Sequence, residues 1–99
     1  MRQVRWSQSA SIDLNRLMSH IAEENERNAT LVGDRIDQTA KNLGLMATGH
    51  FGRVEDTYEI RVTKSPYVIA YGKTETMIVI LRVIHGARDG RLGEWPMDK

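Results

Sequence analysis

Apolar residues recur every three or four positions in two segments of the first half of the chain. The first segment contains Ala10, Leu14, Leu17 and Ile21, and the second contains Ala29, Val32, Ile36, Ala40 and Leu43. This spacing predicts two amphipathic helices, each with one face toward a core. The polar segment 25–28 between them has the length of a turn between antiparallel helices. The two helices are therefore expected to form a hairpin.

Residues with known capping preferences flank both predicted helices. Ser7, Ser9 and Ser11 precede the first stripe, and any of them can cap a helix N-terminus. We expect the first helix to end near Glu24 and the second to end at Gly44, a residue type that favours the C-cap.

The second half of the chain has the periodicity of strands. Tyr58, Ile60 and Val62 alternate with polar residues, which predicts a half-buried strand. Segments 67–71 and 76–84 are two further predicted strands, since turn-forming residues precede each of them.

The last predicted strand has apolar residues in both alternating sets. Strict alternation predicts one face made of Met77, Val79, Leu81 and Val83, and another made of Ile78, Ile80 and Ile84. A strand buried on both faces lies inside a sheet.

The order of elements predicts an α+β fold. Residues 4–6 form a short strand at the edge of the sheet, segment 46–56 forms a loop, and the chain is irregular from about residue 86. The resulting β-α-α-β-β-β order places a two-helix hairpin on one face of a mainly antiparallel sheet. A length of 99 residues predicts one domain, 1–99.

Composition narrows the possible chemistry. The chain has no Cys, which excludes a disulfide scaffold, a thiolate nucleophile and a Cys-ligated zinc site. Its three His residues are far apart in sequence, so neither a metal nor a cofactor is predicted. The net charge is +1, so any nucleic-acid contact must be local. The longest apolar run, 77–81, is far below the roughly 20 residues of a membrane span, and without a secretory signal we expect a cytoplasmic protein.

The densest polar cluster follows the apolar strand, at residues 82–89. Arg82 is a charge within an apolar run, and a desolvated charge requires an anionic partner. Glu59 in a neighbouring strand is one candidate, and a partner molecule is the other. His85 has the chemistry of a general acid or base, although a His at the end of a strand is more often structural. A modest basic patch is predicted from Arg61, Lys64, Arg82 and Arg88.

Four segments together resemble the RelE/ParE superfamily of bacterial toxins. They are Gly52-Arg53-Val54, Thr57-Tyr58-Glu59-Ile60, the segment 65–71, and the segment 80–89. The last of these contains the run Leu81-Arg82-Val83-Ile84-His85-Gly86-Ala87-Arg88. The last run is especially typical of the plasmid-stabilisation, ParE-like branch. The resemblance implies the toxin of a type II toxin–antitoxin module, neutralised by a cognate antitoxin whose C-terminal segment wraps the toxin.

The superfamily implies two possible activities. RelE-like members cut messenger RNA in the ribosomal A site, and ParE-like members inhibit DNA gyrase. At the places where the RelE-like pattern has two Lys and an Arg, this chain has Glu59, Arg61 and Val68. Since an acid near a scissile phosphate opposes its binding and Val68 offers nothing to a developing oxyanion, endonuclease activity is disfavoured.

The resemblance therefore predicts a ParE-like toxin that binds and poisons DNA gyrase. The residues expected to contact this target are Arg61, Arg82, His85 and Arg88. Those expected to bind the antitoxin are Leu14, Leu17, Ile21, Val32 and Ile36. Two alternatives remain: a ribosome-dependent endonuclease with catalytic candidates His85, Arg61 and Arg82, or an inactive toxin kept as a corepressor. The corepressor would reach operator DNA only through its antitoxin.

Overall fold

The computed structural model describes residues 1–86, which form two helices and a five-stranded sheet. The elements are β1 (Gln3–Trp6), α1 (Gln8–Ala22), α2 (Glu26–Leu45), β2 (His50–Phe51), β3 (Tyr58–Arg61), β4 (Tyr67–Lys73) and β5 (Met77–His85). The strand order is β1-β5-β4-β3-β2. β1 is parallel to β5, and the remaining pairs are antiparallel. The predicted α+β fold is confirmed, with β1 at an edge and β5 inside the sheet.

Polar caps determine where the helices begin. The Ser7 hydroxyl accepts a hydrogen bond from the Ala10 amide at 3.0 Å, and the Asn25 side chain accepts one from the Asn28 amide at 3.0 Å. The first helix ends at Ala22 and the second begins at Glu26. The turn predicted at 25–28 is therefore wrong, because Asn25 caps the second helix at the start of that segment.

Gly44 lies inside α2 and is not its C-cap, so that prediction is also wrong. The helix continues to Leu45. The Gly44 carbonyl accepts a hydrogen bond from the Arg2 amide at 2.7 Å, and a Cβ at this position would lie 2.7 Å from the Arg2 carbonyl oxygen. Glycine is required here for the close approach of α2 to the start of β1.

The main core lies between the helices and one face of the sheet. Ile36 of α2, Ile69 of β4 and Ile80 of β5 are fully buried in it. A second, smaller cluster contains Val68, Ala70 and Ile84, with Val54 packed against it. Because side chains alternate along a strand, these residues lie on the opposite side of the sheet, the outer face.

A β-bulge at Leu81 overturns the predicted faces of the last strand. Tyr71 pairs with Ile80 and Ala70 pairs with Arg82, which leaves Leu81 as the extra residue. The alternation therefore shifts by one position. Ile78 and Ile80 share the main core with Val83, whereas Ile84 joins the outer-face cluster.

The connections between strands differ in detail from those predicted. The segment expected as a loop contains β2, which pairs with β3. β4 continues through Lys73, so the turn that follows it begins at Thr74, whose amide donates to the Met77 carbonyl at 2.9 Å. Of the predicted irregular tail, the structure describes only Gly86. Neither helix is long and apolar enough to span a bilayer within the described range.

Candidate functional site

Arg82 is held by Asp13 of α1. Its Nε and Nη2 atoms donate to the two Asp13 oxygens at 2.7 and 3.0 Å. The Val83 amide donates to the same carboxylate at 3.0 Å. This two-point pairing is the geometry that suits a guanidinium and a carboxylate. The alternative of a pair between Arg82 and Glu59 is wrong, because Asp13 reaches Arg82 from the helix.

Glu59 instead binds Arg53 in the preceding loop. The carboxylate accepts the Arg53 amide at 2.8 Å and its Nε at 3.2 Å. Only 4% of Glu59 is exposed, so this charge is neutralised below the surface. The pair holds segment 52–57 against β3, with Val54 on the outer-face cluster.

His85 ends β5 beside the helices. It pairs in register with Tyr67, and the two rings meet edge to face with centroids 5.6 Å apart. Both residues line a cleft of about 270 Å³ between α1 and the sheet. Arg16 and His20 of α1 line the same cleft. Sequence analysis missed these two residues. Spacings of three from Asp13 to Arg16 and of four from Arg16 to His20 place all three on the same helix face.

Arg61 and His85 lie on opposite faces of the sheet. Arg61 pairs with Val68 of the outer-face cluster, whereas His85 pairs with Tyr67 of the main core. The Arg61 side chain is exposed, and its Nη1 donates to the Ser65 carbonyl at 3.5 Å. The residues predicted to contact the target are therefore divided between the two faces, because Arg61 and His85 project to different sides.

The other members of the predicted patch have separate surroundings. Arg82 is engaged by Asp13, and Arg88 lies outside the described residues. Lys64 is exposed in the turn after β3, with a φ of 58°, and its carbonyl accepts a hydrogen bond from Arg35 at 3.4 Å.

The residues predicted to bind the antitoxin divide into two groups. Leu14, Leu17 and Ile21 of α1 are partly buried and pack against the main core. Val32 and Ile36 of α2 are buried within that core, with 6% and 0% exposed. Little of Val32 and none of Ile36 is exposed, because the apolar stripe of α2 faces inward along its length.

Exposed apolar residues lie elsewhere on the helices. Ile12 of α1 and Leu31 of α2 are 41% and 47% exposed, and Leu45 and Met46 at the end of α2 are more exposed still. Ile12 and Leu31 interrupt the polar side of each helix. This interruption of the pattern was the signal in the sequence that could have identified them as exposed.

The outer face also carries a groove that sequence analysis did not predict. It has a volume of about 450 Å³ and lies beside β1 and β5. Its apolar lining includes Trp6, Met77, Val79 and Leu81. The only hint in the sequence was the second apolar set of β5.

Three aromatic rings form a ladder across β2, β3 and β4. Phe51 stacks on Tyr58 with centroids 5.6 Å apart, and Tyr58 stacks on Tyr71 at 5.7 Å. The ammonium of Lys73 lies 4.5 Å from the Tyr58 ring centroid. The Tyr71 hydroxyl accepts a hydrogen bond from the Gly49 amide at 3.0 Å. Burial raises the pKa of this hydroxyl, with the Gly49 hydrogen bond acting in the opposite direction.

The fold is similar to that of a solved structure, the chromosomal ParDE toxin–antitoxin system from P. aeruginosa. The TM-score is 0.77 at 20% sequence identity, and the match covers 86% of this chain and 96% of that chain. This likeness defines the fold class. No curated protein matches the sequence.

Sequence similarity then identifies the family. The family model described as ParE toxin of type II toxin-antitoxin system, parDE, matches residues 4–90. The chain therefore belongs to the ParE toxin family of type II toxin–antitoxin systems, as the resemblance predicted.

Proposed function

We propose that this ParE-family toxin arrests growth by binding DNA gyrase without covalent chemistry of its own, and that a cognate antitoxin neutralises it. The observation that carries the proposal is the set of contacts that Glu59 and Val68 make in the structure. These residues occupy places where an RNA-cleaving relative would have cations. Glu59 is buried and neutralised by Arg53, and Val68 belongs to an apolar cluster.

The arrangement of Arg61 and His85 supports the same proposal. Cleavage of a phosphodiester bond requires a group that transfers protons and groups that stabilise the phosphate charge at one place. Here the predicted candidates project from opposite faces of the sheet. The geometry favours an inhibitor that acts through a protein surface.

For the antitoxin, α1 provides the supporting surface. Leu14, Leu17 and Ile21 keep part of their apolar area exposed along one side of this helix. An antitoxin segment that buried this area would gain hydrophobic free energy of about 25 cal/mol per Å². It would also stabilise the toxin against unfolding by mass action.

A supercoiling assay tests the proposed target. Purified toxin is titrated into DNA gyrase with relaxed plasmid, and we expect supercoiling to stop at micromolar toxin. Arg61→Ala and His85→Ala test the two candidate surfaces separately, with Arg27→Ala on the exposed side of α2 as the matched control. Unimpaired supercoiling at ten times that concentration would exclude gyrase as the target.

Two further measurements separate the alternatives. Primer extension on messenger RNA after induction would reveal ribosome-dependent cuts if the chain were an endonuclease. Normal growth after induction without antitoxin would identify an inactive toxin kept as a corepressor, in which case the antitoxin supplies the contact with operator DNA.

A further inference from the structure

The cleft between α1 and the ends of β4 and β5 is lined by groups that attract an anion. We propose that it binds a single acidic side chain, glutamate or aspartate, of the antitoxin. This inference rests on the proposed function, because it assigns the cleft to the partner that neutralises the toxin. The seven lining residues are Asp13, Arg16, Leu17, His20, Tyr67, Val83 and His85.

Among the described residues that line the cleft, Asp13 is the only acid, and it is already neutralised. Asp13 accepts three hydrogen bonds, two from Arg82 and one from the Val83 amide. It is also the only acidic residue in α1, β4 and β5, the three elements that form the cleft. An incoming carboxylate would therefore meet no uncompensated negative charge from these walls.

One guanidinium and two imidazole rings lie at the rim of the cleft. Arg16 and His20 are exposed one turn apart on α1, and His85 is partly exposed on β5. Within the part of the chain that the structure describes, no hydrogen bond or ion pair engages Arg16 or His20. The Arg16 guanidinium is suited to donate charge-assisted hydrogen bonds to carboxylate oxygens, and the His20 ring can donate an N–H to the same group.

The size and floor of the cleft favour a side chain over a longer ligand. About 270 Å³ accommodates one side chain. Leu17, Val83 and the ring of Tyr67 provide apolar surface for the methylene groups of a glutamate or aspartate. Beyond His20 the chain continues with Glu23 and Glu24, both exposed, which disfavour an extended polyanion such as a nucleic acid.

The cleft is continuous with the surface proposed for the antitoxin. Leu17 belongs both to the partly buried stripe of α1 and to the lining of the cleft. A segment that lies along α1 over Leu14 and Leu17 therefore passes the rim at Arg16. The apolar stripe would supply affinity, and the cleft would select partners that carry an acid at one position.

The test is calorimetric titration of the full-length cognate antitoxin into the full-length toxin. The test variant is Arg16→Gln combined with His20→Gln, and Arg27→Gln on α2 is the control. Because these three side chains are exposed, circular dichroism should report unchanged folding. Loss of charge-assisted hydrogen bonds should weaken antitoxin binding about tenfold in the double variant, with no more than a twofold change in the control.

A charge exchange then identifies the partner residue. Arg16→Glu should weaken binding further, and changing one acidic residue of the antitoxin to lysine should restore it. Restoration at a single antitoxin position supports the proposal, whereas loss that no acidic position rescues overturns it.

The outcomes separate this inference from the proposed function. If the wild-type toxin fails to bind the antitoxin, the cleft inference and the proposed neutralisation are both overturned, whereas gyrase inhibition is tested separately by the supercoiling assay. If the wild type binds and the double variant binds equally well, the cleft inference alone is wrong. If the double variant loses binding to duplex DNA while antitoxin binding is unchanged, the cleft contacts nucleic acid and the inference is likewise wrong.

Discussion

Two carboxylate–guanidinium pairs stabilise different parts of this toxin. Asp13 and Arg82 are 69 residues apart and join α1 to an interior strand of the sheet. Glu59 and Arg53 are six residues apart and join a loop to the strand that follows it. Both pairs are largely buried, and the chemistry is the same. The two pairs differ in how freely the remaining arginine can move when its acidic partner is removed.

This difference predicts different consequences of breaking each pair. Arg82 is anchored in β5, and Asp13 of α1 holds its guanidinium, with 23% of the side chain exposed. Arg53 lies in a loop and can turn outward with its segment. We therefore expect the first pair to influence global stability and the second to influence local order.

The largest effect is expected for Asp13→Ala. The change removes the Asp13 carboxylate that accepts hydrogen bonds from the Arg82 guanidinium and the Val83 amide, so the free energy of unfolding should fall by about 2 to 3 kcal/mol. Urea unfolding followed by circular dichroism measures it. The control Asp34→Ala, on the exposed side of α2, should change stability by less than about 0.5 kcal/mol. Equal losses in the two variants would mean that the contacts of Asp13 contribute nothing beyond those of an exposed acid.

Glu59→Gln should have a smaller and more localised effect. The substitution keeps the size of the side chain but removes its charge, for a loss of about 1 to 2 kcal/mol. Amide hydrogen exchange should accelerate within segment 49–57 and remain unchanged in α1. Glu55→Gln in the same loop is the control, since Glu55 is exposed. Faster exchange throughout the sheet would contradict the local role.

Tyr71→Phe tests a second link between the loop segment and the sheet. Removal of the hydroxyl leaves the Gly49 amide without its acceptor, for a loss of about 1 kcal/mol at neutral pH. Tyr58→Phe keeps the aromatic ladder and serves as the control.

The loss of stability at alkaline pH provides a further test of the role of Tyr71. Burial raises its pKa in the folded state, so above the ordinary value of about 10 the unfolded chain releases this proton first. The stability contributed by the neutral hydroxyl is therefore present below pH 10 and is lost as pH rises through the folded-state pKa. Tyr71→Phe should show a shallower alkaline loss than wild type in thermal melts from pH 9 to 11. Identical slopes would exclude this contribution.

The smallest effect is expected where an ion pair is exposed. Asp37 and Lys41 lie one turn apart on α2 with the nitrogen and oxygen 2.9 Å apart, and both side chains are more than half exposed. Asp37→Ala should lower stability by about 0.3 to 0.5 kcal/mol. The loss measured at this exposed pair is the reference for the two buried pairs. A loss comparable to that of Asp13→Ala would mean that burial adds little to the stability that an ion pair contributes.

Sequence patterns predicted the elements better than their partners. The stripes of both helices and the alternation around Ile60 reflect local periodicity, which depends on few neighbours. The partner of Arg82 depended on which element lies across β5, and nothing in the local sequence specifies that Asp13 arrives there. The same limit applies to the candidate site, since Arg16 and His20 join His85 only after α1 packs on the sheet.

The faces of β5 illustrate a further limit. Alternation predicted that Ile84 would share a face with Ile80, but the bulge at Leu81 moves Ile84 to the outer face. A bulge depends on the register of two strands, so the composition of one strand does not reveal it.

The sequence by itself determined the order of helices and strands, the interior position of β5 and the family to which the chain belongs. These features depend on periodicity and on motifs along one segment at a time. Tertiary structure alone decided which charges neutralise each other, which apolar residues remain exposed and which nitrogen-bearing side chains line one cleft. The physical reason is that desolvation and Coulomb interactions depend on distances in space, and those distances exist only after segments far apart in the chain have packed together.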